Sequence, residues 1–435
     1  MSVPTRAWVV TFAGTAINLC LGILYAWNVW KKSLIAGEGK SPGDAMEGLN
    51  EGWVYLTNAE GTWAYSICGF VFALAMIPGG RLQDRYGPKL GATGGGLFLA
   101  AGCILSGLMK SYAGLVLGFG ILGGIGMGLA YAATTPAAVK WFGAHQRGLI
   151  VGLVVGGYGG AAIYISPLAE HLIAAHGISG SFIGLGIFFA VVVIIAGQLL
   201  AWPPEGYVPP VKESVANASG SSGLTRVDWP APAMLQTVQF YALVFLFFGS
   251  AQSGLLVIGN ATQALNDTAK TVAFLAANAW ILSSYGGLVN AVGRVGTGMY
   301  SDRIGRANAF VINGAVSAVC MLVTPWIMRE GNVVLLFVAV GVAYWQYGGG
   351  LALLPAFTAD FFGSKNLGFN YGLVFLGWGA AFAIPQLAGY IKDVTGSLDY
   401  AFYLSGGLLA LAVVVCLLTR RPIAEAERGS GNTIQ

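Results

Sequence analysis

The sequence predicts an all-α membrane protein whose twelve transmembrane helices form two six-helix pseudo-repeats. Three observations predict it. The chain is 56% hydrophobic and only 9% charged, with a mean hydropathy of +0.70, whereas soluble domains carry roughly 25% charged residues. Long apolar runs recur along its whole length, parted by short polar or Pro-rich breaks. A short charged phrase, GGRLQDRYGPK at 79–89, returns as GTGMYSDRIGR at 296–306, setting Asp84 and Asp302 218 residues apart in a chain of 435.

A helix needs about 20 apolar residues to cross hydrocarbon. Read that way, the runs predict helices 1 to 12 over 7–30, 61–80, 90–109, 112–138, 148–173, 181–201, 238–260, 274–299, 307–328, 332–357, 368–391 and 400–419. Many of the 66 glycines fall inside these runs, where membrane helices use them for close packing. Only Arg6 precedes helix 1, so that run is expected to be a retained helix rather than a cleaved leader. Residues 202–233, WPPEGYVPPVKESVANASGSSGLTRVDWPAPA, have no helical period and read as a flexible linker. The expected division is an N-terminal bundle over 1–201, a cytoplasmic linker over 202–237, and a C-terminal bundle with a short tail over 238–435.

Placing both termini inside gives the inner connections fourteen Lys and Arg against seven outside, with Lys31 and Lys32 counted as outer. That bias agrees with the positive-inside rule. The acidic stretch 31–60 (Glu38, Asp44, Glu47, Glu51, Glu60) reads as a solvated outer loop rather than a lid.

Composition also excludes functions. The five cysteines all lie in apolar runs, at no metal spacing, and read as small hydrophobic packers. A net charge of +4 spread along the chain gives no support to nucleic-acid binding. His145, His171 and His176 have no nucleophile or metal partner at motif spacing. Neither an enzyme, a metal site nor a cofactor is therefore expected, and His171 beside Glu170 is a weak proton-relay candidate.

The repeated phrase has local physics. Its glycines permit a tight turn. Its aspartates, Asp84 and Asp302, can cap a helix N-terminus or pair with an arginine across the two halves; Arg85 and Arg303 come directly after them. A solvated turn is the plain alternative for either copy alone. Two copies, each after the second helix of its half, point instead to an internally repeated transporter. The phrase resembles the G-x-L-x-D-R-x-G-x-[KR] loop motif between helices 2 and 3 of the major facilitator superfamily, with Arg81 and Gln83 as departures in the first copy. That resemblance implies the major facilitator fold, and a gating role for Asp84, Arg85, Asp302 and Arg303.

Helix 8 carries an arginine, Arg294, about five residues from the charged loop. Insertion scales place the cost of an arginine at a helix centre at about 2.5–3.5 kcal/mol. Snorkelling to the interface is one reading. The other is a fixed cation facing a central cavity, its planar fork matched to a carboxylate. Asn290, at i−4, shares its face. No acid occupies the middle of any span, since Glu170 and Asp360 are terminal, so an anionic ligand is the available counter-ion. Tyr25, Tyr131 and Tyr347 lie in helices 1, 4 and 10; each can hydrogen-bond a carboxylate or simply pack.

Several stretches, spread over both halves and in matching order, resemble the oxalate/formate antiporter and monocarboxylate porter branch of that superfamily. They are GILYAW (22–27), VKWFGAHQRGLIVGLVVGGYG (139–159), PPEGYVPP with MLQTVQFYAL around the linker, NAVGRVGTGMYSDRIGR, and ADFFGSKNLGFNYG (359–372). The resemblance implies that Arg294 binds the substrate carboxylate, with Tyr131, Tyr25 and Tyr347 at the family's aromatic positions. Oxalate carriers of the branch have a lysine in helix 11 where this chain has Trp378. Animal porters have a helix 1 lysine and a helix 8 aspartate where this chain has Val29 and Asn290. One fixed cation suits one carboxylate.

The expectation is thus a transporter of small monocarboxylates such as lactate or pyruvate, most like a bacterial monocarboxylate carrier and coupled to protons. In it Arg294 holds the carboxylate and Asn290, Tyr131 and Tyr25 orient it. Tyr347, Phe375 and Trp378 close the apolar side. It would sit in the lipid bilayer of a bacterial inner membrane with both termini cytoplasmic. The missing helix 8 aspartate keeps an obligate anion exchanger of the oxalate/formate type as the alternative, and a non-transporting sensor as a remote one.

Overall fold

The structure, a computed structural model, describes residues 4–37, 39–142, 147–208, 228–269, 272–363 and 366–422. The central linker stretch 209–227, His145 and the tail beyond 422 lie outside the described residues, as does the side chain of Asp302. Ten helices among the described residues are long and apolar enough to cross a membrane. One of them, Ile150–Leu199, bends at Gly177 (φ 70°) and supplies helices 5 and 6. A further helix, Trp280–Ile304, is helix 8; its Asn290, Arg294 and Arg303 make it too polar for that criterion. The architecture therefore has the twelve expected helices.

Their bounds are Thr5–Leu34, Asn58–Tyr86, Pro88–Met109, Tyr112–Val139, 147–176, 178–199, Val238–Thr268, Trp280–Ile304, Arg306–Arg329, Val333–Phe362, Phe369–Thr395 and Asp399–Leu418. Helices 1–6 and 7–12 each pack as a bundle, and the seam between bundles is made by helices 1, 2 and 5 against 7, 8, 10 and 11. Both ends of the linker lie on one face of the molecule, the linker face.

The repeated phrase folds the same way twice. Helix 2 ends at Gly87 (φ 86°) and helix 8 at Gly305 (φ 91°), each at once the C-cap of one helix and the N-cap of the next. Only glycine enters that region without steric cost. Close approach explains other glycines. A Cβ on Gly102 would stand 2.4 Å from the Gly118 carbonyl, and one on Gly22 2.3 Å from the Ala161 Cβ. These contacts bring helix 3 onto helix 4 and helix 1 onto helix 5, as small residues do in membranes.

Three helices lose α-geometry as they pass the seam, helix 5 by a single turn residue at Ala161. Helix 1 tightens to a 3₁₀ turn at Gly22–Ala26, which carries Tyr25. Helix 11 breaks at Phe375 and again at 381–382, on either side of Trp378. Such interruptions mark hinges or sites.

One sequence expectation needs refining and another correction. The stretch 31–60 is solvent-exposed over most of 39–52, as expected, but it is folded back on the bundle rather than free. Lys31 and Lys32 extend helix 1, and the chain then folds back through bridges Ile35–Leu56 and Ala45–Val54. Buried Trp53 donates to Ser179 Oγ at 2.9 Å, and Asn50 Oδ1 accepts from the Ile178 N–H at 2.7 Å. An indole is too apolar to leave in water, so the segment caps its own bundle at helices 5 and 6. Lys31, counted as an outer cation, is likewise buried, at 2% exposure.

Candidate functional site

Arg294 is 6% exposed and lies at the seam. Its side chain runs back along helix 8, away from the linker face, so it does not snorkel. Nε donates to Asn290 Oδ1 at 3.2 Å, Nη1 to the Val155 carbonyl at 3.2 Å, and Nη2 reaches the Tyr25 hydroxyl at 3.5 Å. Helix 5 passes so close that a Cβ on Gly159 would stand 3.2 Å from Nε. Every partner is a neutral oxygen, and among the described residues no carboxylate pairs with this guanidinium.

Tyr25 then leads into the second bundle. Its hydroxyl and that of Tyr347 are 2.7 Å apart, and the Trp378 indole N–H donates to Tyr347 at 2.8 Å. Sequence reasoning expected Trp378 only as an apolar wall, yet it also hydrogen-bonds. The phenol pair uses one O–H between them, while their oxygens accept from Trp378 and Arg294, so one phenol proton is left to donate elsewhere. The Asn290 Nδ2 is buried without a partner. The site is thus rich in donors and, among the described residues, lacks acids.

Aromatic rings close the rest. Phe375 stacks on Trp378 at 4.9 Å, and Phe72 packs edge-on against Trp378 at 5.1 Å and Tyr131 at 5.4 Å. Tyr158 meets Tyr25 at 4.9 Å and Tyr131 at 5.6 Å, both T-shaped. Tyr131 also lies within electrostatic reach of Arg294. All seven sequence-predicted binding residues, Arg294, Asn290, Tyr131, Tyr25, Tyr347, Phe375 and Trp378, therefore meet in one cluster. Phe72, Tyr158, Gly159 and the Val155 carbonyl were missed. The run VVGGYG held a signal for three of them, since glycines flanking a lone tyrosine leave room for a bulky neighbour.

The loop residues do not join this cluster. Asp84 accepts from its neighbour Gln83 Nε2 at 2.7 Å, and Arg85 lies over the Tyr86 ring at 5.2 Å. Arg303 is exposed. A cross-bundle pairing of Asp84 is not seen among the described residues.

On the face opposite the linker, hydrogen bonds cross the seam in series. Asp393 of helix 11 accepts from the Asn58 and Ala59 N–H groups at the start of helix 2, both at 2.8 Å. Asn28 bonds Ser283, the Ile258 carbonyl and Thr262, and Lys31 Nζ donates to Asn260 Oδ1 at 2.7 Å. Across the linker side, the described contacts include the Arg81 guanidinium 5.3 Å over the Phe369 ring.

Comparison with known proteins agrees with the fold. The model of the Major Facilitator Superfamily matches residues 7–345 and 275–433. An uncharacterized MFS-type transporter, YhjX, of Escherichia coli (strain K12) is 26% identical over 371 residues, 85% of this chain and 84% of its own. An oxalate:formate antiporter of Oxalobacter formigenes is 26% identical over 349 residues, 75% of this chain and 79% of its own. Monocarboxylate transporter 12 of Xenopus laevis is 25% identical over 398 residues, 86% and 84% of the two chains. The fold matches the xylose transporter XylE from E. coli, in a partially occluded inward open conformation, with a TM-score of 0.66 at 13% identity over 95% of this chain and 99% of that one. With twelve helices in two bundles, a turn repeated at the same register and a family match across both halves, this integral membrane protein belongs to the Major Facilitator Superfamily.

Proposed function

We propose that the chain is a secondary transporter of small monocarboxylates, of the lactate and pyruvate kind, working by rocking of the two bundles about the seam. One observation carries this reading: a buried guanidinium between the bundles whose partners are all neutral, beside an unfilled amide donor and a spare phenol proton. A buried charge without a counter-ion is strongly unfavourable, and a carboxylate supplies one with two acceptor oxygens. Among the described residues a second cation of matching depth is absent from the cluster, which favours one carboxylate over two. The names of the antiporter and the monocarboxylate transporter fit an organic anion. By the lysine and arginine bias, the linker face is cytoplasmic, in a bacterial inner membrane.

Proton coupling belongs to this reading, with the proton entering alongside the anion. The lack of an acid beside Arg294 among the described residues favours a second reading, obligate exchange, because an empty carrier would have to move its bare cation through the seam. Labelled L-lactate uptake into proteoliposomes separates the two. Gradient-driven accumulation, lost in Arg294→Ala, supports proton-linked transport through this site. Uptake only into anion-preloaded vesicles makes it an exchanger. No uptake in either arrangement refutes the substrate assignment.

A further inference from the structure

Beyond the carboxylate-binding cluster, several buried side-chain polar atoms lack a hydrogen-bond partner among the described residues, and one of them, the Tyr344 hydroxyl, is on the helix that carries Tyr347. Tyr344 lies on helix 10, three residues before Tyr347, and is fully buried. Its ring crosses helix 8 at Gly286, where a Cβ would stand 2.3 Å from two ring carbons. Gly286, Asn290 and Arg294 stand at i, i+4 and i+8, so they share one helical face. Among the described residues the Tyr344 hydroxyl has no hydrogen-bond partner, and it lies within electrostatic reach of Tyr25 and Tyr65.

Two explanations compete for that hydroxyl. Packing needs only the ring, since a phenylalanine would fill the gap over Gly286 and bury nothing polar. A ligand would account for the oxygen. Buried polar groups in native proteins are nearly always hydrogen-bonded, and here two groups without partners among the described residues belong to adjacent turns of helix 8's face: Asn290 Nδ2, and the hydroxyl of Tyr344, whose ring packs at Gly286 one helical turn earlier. The carboxylate already has its donors in Arg294, the Asn290 amide and the spare phenol proton. Tyr344 is surplus to it.

We propose that the Tyr344 hydroxyl binds a second oxygen of the substrate, so that the carrier takes short hydroxy- or oxo-monocarboxylates ahead of unsubstituted alkanoates. This rests on the monocarboxylate reading above and adds a specificity-determining residue to it. Matched acids differing by one oxygen expose the role, because a site built to hydrogen-bond a substrate hydroxyl discriminates strongly against the analogue lacking it.

Tyr344→Phe keeps the ring on Gly286 and removes one oxygen. The full-length protein in nanodiscs would be titrated with L-lactate against propanoate and with acetoacetate against butanoate. The expected result is a wild-type preference for the oxygenated acid of about 10-fold, abolished in Tyr344→Phe while alkanoate binding stays unchanged. Unchanged alkanoate binding also certifies that the variant is folded. Equal losses for both acids, or no preference in the wild type, would overturn the role of Tyr344 and leave the carboxylate site standing. Binding of none of the four acids would overturn the carboxylate reading itself, and this proposal with it.

Discussion

Helix 2 and helix 8 are the same element written twice, and they do opposite work. Each ends at a positive-φ glycine, Gly87 and Gly305, so positions can be matched by counting back from that cap. Fifteen residues before it, helix 2 has Phe72 and helix 8 has Asn290. Eleven residues before it, helix 2 has Met76 and helix 8 has Arg294. One copy supplies an aromatic wall and the other supplies charge and amide, and both lie at the same seam. The backbone frame is symmetric; the chemistry is not. A site at a pseudo-twofold interface can hold a polar-headed, apolar-tailed ion only if the two copies diverge at matching depth.

The largest expected effect comes from erasing the divergence. Arg294→Met gives helix 8 the residue that helix 2 has at that turn. Substrate binding should fall by about 100-fold or more, the scale on which buried charged partners act. The same change should raise the unfolding midpoint in detergent, since an apolar side chain of similar volume replaces a charge lacking a counter-ion. Loss of binding with a lowered midpoint would mean that Arg294 is a structural pin, held by the Val155 carbonyl and Asn290, rather than a ligand site.

A smaller change tests the amide. Asn290→Asp sets a carboxylate one turn from Arg294, where the charged form pairs with the guanidinium and competes with the substrate. Uptake at neutral pH should drop about 10-fold. It should recover only as pH falls below the ordinary aspartate range of about 3.9, because pairing with Arg294 lowers the pKa of the new carboxyl and only its protonation frees the guanidinium. The pH profile of uptake, compared with wild type, checks both the size and the sign. An uptake at neutral pH equal to wild type would show that Asn290 does not face the bound anion.

These contrasts show what could be read from the sequence. Helix count, the repeated turn and Arg294 with Asn290 were legible, because hydropathy runs, glycines beside a repeated charged phrase and an arginine among apolar residues are local signals, while Tyr25, Tyr131, Tyr347 and Trp378 were placed by the family resemblance. Lys31 was not legible. It comes after Trp30 at the end of an apolar run, where a lysine ordinarily reaches water, and only the approach of helix 7 buries it against Asn260. Tyr158 and Phe72 escaped for a related reason. An aromatic residue in a membrane helix carries no mark of whether it faces lipid or seam until the partner helix is placed. In the 31–60 segment composition read the exposed acids rightly but gave no sign that Trp53 and Met46 pack beneath them.

The smallest effect should sharpen the comparison by being equal on both sides. Gly87→Ala and Gly305→Ala each force a side chain into the positive-φ, extended-ψ region that essentially only glycine enters, costing about 1–3 kcal/mol. Among the described residues neither glycine has a neighbour within 4 Å of an added Cβ, so crowding from them adds nothing to the strain. The two variants should therefore lower the unfolding midpoint by the same few degrees and leave substrate affinity unchanged. Unequal destabilisation would show that the two turns, alike in dihedral angle, bear different loads. The linker-face loop of one bundle would then be part of the switching machinery, while that of the other remained a plain connection, and the divergence now visible only at the seam would extend to the frame.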